Sequence, residues 1–236
     1  MTAGMLVPPP RVARVRGMTS PTPRPPRRPQ AERSADTRSK LIEAAIACLH
    51  RTGYSTTTVS TVAAEAGVSR GAMTHQFPAK TDLMIAVVEH VFEQDSTFYA
   101  RTIEAMDPGA FLLGLPEMMW GVISRPAGIA VIEIMLASRS DPGLAERLRE
   151  LQSAIDVRAH KWSGERVRAA GIKPHPDGEA IHELYVAAVR GLAIEATFMN
   201  NSDGVHRALR VLSDMMRRFY PDLTDPPAIP ETKSKT

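Results

Sequence analysis

The sequence predicts an all-α protein in which an N-terminal helix-turn-helix unit precedes a larger C-terminal helical domain. Three observations carry that reading. Apolar residues recur at spacings of three and four along most of the chain, which gives about nine helices. No stretch alternates in the strand fashion over a useful length. Glycine and proline stand where the periodic segments stop.

Residues 1–30 hold eight prolines, and residues 1–33 hold seven arginines against one acid, Glu32. With few apolar side chains to offset the entropy of ordering, residues 1–33 are expected to form a disordered tail. A basic arm of this kind adds phosphate contacts or enters a minor groove. Met18 could equally begin the chain, which would make residues 1–17 an over-extended start. The first helix then lines Leu41, Ile42, Ala45, Ile46 and Leu49 along one face and stops at Gly53. Cys48 lies on that apolar side and reads as packing.

Residues 53–83 read GYSTTTVSTVAAEAGVSRGAMTHQFPAKTDL. Thr57 or Thr58 can N-cap a short helix over residues 59–66, Gly67 supplies a tight turn, and Ser69 caps a second short helix. Two short helices joined in this way make a helix-turn-helix. The second helix exposes Arg70, Thr74, His75 and Gln76 while Met73 and Phe77 face inward. The small Gly71 and Ala72 let it lie close in a major groove, where Arg70 can grip a guanine edge.

A long helix is expected from about Lys80 to Glu104, closed by Asp107, Pro108 and Gly109. Residues 111–123, restarted at Pro116, and 129–137 make shorter apolar helices on either side of Pro126. Leu144, Leu148, Leu151, Ile155, Ala159 and Trp162 mark an amphipathic helix. Ile181, Leu184, Tyr185, Ala188, Leu192, Ala196 and Met199 mark the next. Val205, Ala208, Leu209, Leu212, Met215, Met216 and Phe219 mark the last. These two are apolar enough to need a partner. Residues 221–236, with four prolines, read as a second tail.

Residues 37–83 resemble the DNA-binding domain of the tetracycline-repressor (TetR) family. The matching positions are Gly53, Tyr54, Thr57, Thr58, Val59, Val62, Ala63, Ala66, Gly67, Val68, Ser69, Gly71, Met73, Phe77, Lys80 and Leu83. Thr74 stands where the family usually has Tyr and Gln76 where it usually has His, two positions commonly used on phosphates; neighbouring His75 shares that role. The resemblance implies that Thr58, Ser69, Arg70, Gly71, Thr74, His75, Gln76 and Lys80 meet DNA, with Lys80 on a phosphate. It divides the chain into a DNA-binding domain at 34–80 and a ligand-binding and dimerisation domain at 81–220.

Phe92, Phe98, Met118, Met119, Trp120, Ile123 and Met135 form a soft apolar set in the middle helices. By family analogy, Phe92, Met119, Trp120, Ile123 and Met135 surround an unknown, largely apolar small molecule, with Glu133 and His90 as polar anchors. Leu192, Met199, Leu212, Met215 and Phe219 are expected at a homodimer interface formed by the last two helices.

The formal charge of +3 hides an asymmetry that fits a polyanionic partner at the front. Residues 34–80 carry Arg38, Lys40, Arg51, Arg70 and Lys80 against Asp36, Glu43 and Glu65, and the rest of the chain beyond them is net acidic. No G-x-S-x-G turn accompanies the Ser, His and Asp residues, so no enzyme is expected. Neither the seven histidines nor the Glu179, His182 and Glu183 group has zinc-site spacing, so no metal or other cofactor is expected. One cysteine, no secretory h-region and no long apolar run point to the cytoplasm, with no membrane partner. The expected function is a ligand-released repressor acting as a dimer on a palindromic operator. The alternative is a ligand-independent DNA-organising or cell-division protein on the same fold.

Overall fold

The computed structural model describes residues 30–199 and 202–223. Among them are nine α-helices and no strand: α1 (Gln30–Thr56), α2 (Val59–Glu65), α3 (Arg70–Gln76), α4 (Lys80–Ala105), α5 (Pro108–Ile123), α6 (Pro126–Ala137), α7 (Pro142–Ala169), α8 (Gly178–Ala196) and α9 (Ser202–Phe219). A short 3-10 turn, Ser138–Ser140, joins α6 to α7.

Most boundaries fall where turn chemistry predicts. Thr58 caps α2, accepting from the Thr61 N–H while the Thr61 hydroxyl accepts from the Thr58 N–H. Thr57 is instead buried and donates to the Gly53 carbonyl at 2.7 Å. Asp107 caps α5 and Asp141 caps α7, each just ahead of a proline in the first turn. Gly53 does end the regular part of α1, at φ 76° and ψ 177°, and one further turn follows the kink.

Leu223, expected in the C-terminal tail, is buried among the residues of α8 and α9, and two further expectations need correction. Residues Gln30 to Arg33 are helical rather than tail, and Ser34 is tied to α3 by a bond from Gln76; residues 1–29 and 224–236 lie outside the described residues. Pro116 does not restart α5: the helix runs through it with Pro116 buried, because packing along a largely apolar helix outweighs one lost backbone bond. The sharp bend comes later, between α5 and α6, at 78°. Gly128 sits in that corner, where any side chain would overlap the Ile123 carbonyl. No single helix among the described residues is long and apolar enough to cross a membrane.

The apolar residues gather into two cores. The first joins α1 to α3, the front half of α4, α6 and the start of α7, around Leu41, Leu49, Val62, Met73, Phe77, Leu83, Ile134 and Leu144. Cys48 is buried in it, and burial raises its thiol pKa. The second joins α5, the end of α7, α8 and α9 around Phe111, Tyr185, Val189 and Leu209. The Tyr185 hydroxyl donates to the Leu212 carbonyl at 2.7 Å, and burial pushes its pKa up to about 12. Helices α4 and α7 contribute residues to both regions.

Candidate functional site

The α2–α3 pair is built from paired caps. At the end of α2 the Val68 N–H bonds the Ala63 carbonyl and the Gly67 N–H bonds the Ala64 carbonyl, a Schellman closure. It requires the left-handed φ of 63° that Gly67 adopts, and space is not the constraint, since a Cβ there would touch nothing. Ser69 then caps α3, accepting from the Ala72 N–H at 3.2 Å. Met73 and Phe77 are fully buried beneath α3, with the Arg38 guanidinium over the Phe77 ring at 4.7 Å. Burying those two side chains fixes the rotation of α3. Arg70, Gly71, Thr74 and His75 are left facing solvent together.

The remaining residues expected on this surface are placed differently. Gln76 is half-buried, and its amide donates to the Ser34 hydroxyl at 2.7 Å. Thr58 and Ser69 are exposed but use their hydroxyls as caps. The Lys80 ammonium, expected near a phosphate, donates to the Tyr54 carbonyl at 2.7 Å and lies 3.6 Å from the Tyr54 ring centroid. Burial lowers its pKa, with the Asp141 carboxylate opposing that shift.

Tyr54 is the hub of a polar junction. Its N–H, freed by the kink at Gly53, donates to the Glu133 carboxylate of α6 at 3.1 Å, and its hydroxyl reaches Asp141 at 3.5 Å. Arg147 of α7 pairs with Asp82 of α4 at 2.6 Å. Glu133 is therefore a backbone cap and not an anchor in a cavity. His90 also lies elsewhere, facing Glu43 and Gln94 at 3.0 and 2.8 Å. The sequence carried no sign of the Tyr54–Glu133 pairing, because 79 positions separate the two.

A cavity of about 350 Å³ opens between α4, α5, α7 and α8. Phe92, Met119 and Ile123, three of the residues expected around a ligand, line it together with Tyr99, Leu115, Val122, Ile155, Trp162 and Val186. Trp120 and Met135 do not. Trp120 packs on the second core, and Met135 packs on the first, on α6, no residue of which lines the cavity. Phe98 is exposed, and Met118 packs on the second core. Polar groups also enter the cavity, among them Asp95, Gln152, Asp156, Arg158, His182 and Arg190. Sequence reasoning missed them because on amphipathic α7 and α8 polar residues read as the solvated face. Among the described residues no group of three or more His, Cys, Asp or Glu could hold a metal ion.

The last two helices expose a different apolar set from the one expected. Leu212 is buried inside the chain, so its assignment to an intermolecular seam is corrected. Leu192, Met215 and Phe219 are half-buried against the second core, and Met199 is exposed. Leu184, Ala187, Gly191 and Ile194 form an exposed stripe along α8, Phe198 is exposed in the turn after it, and Val211 is exposed on α9.

Comparison with known proteins bears on this arrangement. Residues 41–87 match the family model described as bacterial regulatory proteins, tetR family. The chain is 30% identical over 199 residues to the HTH-type transcriptional regulator CymR of Pseudomonas putida, spanning 83% of this chain and 97% of that one. It is 22% identical over 191 residues to the HTH-type transcriptional repressor AcnR of Corynebacterium glutamicum, spanning 79% and 96%. Its fold is similar to that of a transcriptional regulator from Saccharomonospora viridis solved in complex with choline, with a TM-score of 0.65 at 17% identity over 79% of this chain and 98% of that one.

Proposed function

We propose that this chain, which belongs to the TetR family of bacterial transcriptional regulators, is a dimeric repressor that reads a palindromic operator through α3 and is released by a small molecule bound between α4, α5, α7 and α8. The observation that carries the DNA-reading role is the solvent-facing set Arg70, Gly71, Thr74 and His75 on a helix locked at both ends of its turn. Arg70 would contact a base edge, and Thr74 and His75 bases or phosphates. Residues 34–80 would be the reading unit and 81–220 the ligand and dimer unit, working in the cytoplasm. The Lys80 ammonium has three N–H donors and spends one on the Tyr54 carbonyl, so in this reading it would give another to a phosphate while tied to the junction with α6 and α7.

Two reading helices need a twofold partner, because palindromic half-sites lie about one helical turn, roughly 34–36 Å, apart. The exposed stripe of α8 and Val211 of α9 supports a self-complementary helical seam there. In this reading Ala187 and Gly191 let the backbones approach while Leu184, Ile194 and Phe198 interdigitate.

Release follows from the path of α4. Its first residue is Lys80, its front half lies in the first core, and Phe92, Asp95 and Tyr99 line the cavity. A ligand that fits the cavity better with α4 tilted would respace the two α3 helices. The test is nuclease footprinting of the full-length protein on the DNA flanking its own gene. Two protected half-sites with dyad symmetry are expected, and uniform coating without sequence preference would contradict the reading in favour of a DNA-organising role.

A further inference from the structure

We infer that the cavity between α4, α5, α7 and α8 takes an apolar or aromatic ligand carrying one carboxylate, and that the carboxylate docks on the Arg190 guanidinium. The inference rests on the ligand-released reading above and deepens it by naming the class of ligand.

Three residues of α8, His182, Val186 and Arg190, stand four apart and face the cavity as one stripe. Arg190 is half-buried, and among the described residues no ion pair or hydrogen bond holds its guanidinium. Burial holds its pKa below the ordinary arginine value, and Asp156 offsets this only in part. Its planar fork of five N–H donors lines the cavity with no acceptor from the chain bonded to it, and so can take one from a ligand.

The other charges around the cavity are already engaged. Asp95 is bonded by Arg125, which neutralises it. Asp156 is exposed and accepts from the Gln152 amide at 2.7 Å. The Arg158 guanidinium lies over the Phe92 ring at 4.6 Å. His182 meets the His160 ring at 5.3 Å, and burial lowers its pKa, so it is the neutral neighbour of Arg190. With Asp95 held by Arg125, the two guanidiniums Arg158 and Arg190 outnumber the one remaining carboxylate, Asp156, so the lining is cationic overall. One guanidinium fork matches one carboxylate through two parallel bonds. Phe92, Tyr99, Met119 and Trp162 supply apolar surface for the body of the ligand. The volume is near the lower end of the usual range of about 300–1,000 Å³, so a compact molecule fits.

The experiment is isothermal titration of the full-length protein with three matched sets: 2-naphthoate, 4-phenylbutanoate and octanoate, each beside its primary amide and the amine that replaces the acid. At least one acid is expected to bind roughly tenfold to a hundredfold more tightly than its amide and amine, the gain of a charge-assisted bond. Arg190→Gln and Arg190→Met should erase that preference while leaving amide affinity and the melting temperature unchanged. Arg190→Lys, which keeps the charge and loses the fork, should keep part of it and serves if the uncharged variants melt early. Amides or amines that bind as tightly as the acids and displace DNA would overturn the carboxylate assignment and leave the ligand-released reading standing. Failure of every member, whatever its charge, would overturn both.

Discussion

Val211 and Leu212 are neighbours in α9 with opposite surroundings, and substituting each in turn separates the folding of one chain from the pairing of two. Val211 is 57% exposed and Leu212 is 8% exposed. In a single chain Val211→Asp touches little, and exposed substitutions usually change stability by less than about 0.5 kcal/mol. In a twofold seam the same change places an aspartate from each chain in apolar contact. An unpaired charge held out of water costs about 3–5 kcal/mol. At 1.4 kcal/mol per tenfold, even one such charge should weaken the dimer by roughly two to four powers of ten, and the second adds to that. Leu212→Ala instead opens a void in the second core beside Tyr185 and costs about 2–5 kcal/mol within the chain. Sedimentation velocity at micromolar protein, read beside thermal melting by circular dichroism, separates the two. Val211→Asp should sediment as a folded monomer, and Leu212→Ala as an early-melting dimer. A Val211→Asp protein that remains dimeric would refute the assignment of this face to the seam.

The junction and the cavity make further expectations. Glu133→Ala removes the only acceptor described for the Tyr54 N–H, so it should destabilise the chain by about 1–3 kcal/mol in denaturant titration and loosen α1 from α6; unchanged stability and unchanged amide exchange at Tyr54 would contradict the junction. His182 has its pKa lowered from 6.5 by burial, by His160 and by Arg190, with Asp156 opposing. The unfolded chain therefore takes up this proton first, so stability should fall as pH drops below about 6.5. His182→Gln should flatten that part of the profile, and an unaltered slope between pH 5 and 7 would count against the burial of this ring. For Phe92→Ala, on the cavity wall, operator affinity should be kept while release by any effective ligand is weakened, in an anisotropy competition; loss of operator binding alone would place Phe92 in the fold and not in the switch.

Legibility followed distance along the chain. The caps at Thr58 and Ser69 and the turn at Gly67 are decided by residues within four positions and read directly from the sequence, whereas Asp107 reads as the end of one helix and proves to cap the next. The exposed face of α3 was legible for the same reason, since Met73 and Phe77 declare the opposite side. What the sequence withheld depends on pairs brought together by the fold. Glu133 looks like a polar residue in an apolar helix until α1 arrives beside it with a freed N–H. The helical spacing puts Leu212 on the apolar stripe of α9, but whether that stripe meets its own chain or a twin depends on the packing of α8 against it. On α8, three stripes face the core, the cavity and solvent, so a simple two-sided reading mixed Leu184 with Tyr185 and overlooked Arg190. Trp120 and Met135 were drawn to the cavity by their chemistry, although each packs on a core.

The central claim is that α3 reads base pairs, and Arg70 tests it most directly. Arg70 is exposed at the first position of α3, so Arg70→Ala leaves the fold intact. Fluorescence anisotropy should be measured at fixed salt on the footprinted operator and on a set carrying every single-base change. The account predicts that Arg70→Ala weakens operator binding by about 1–3 kcal/mol and abolishes discrimination at one base pair in each half-site. Unchanged affinity together with an unchanged base preference would contradict it.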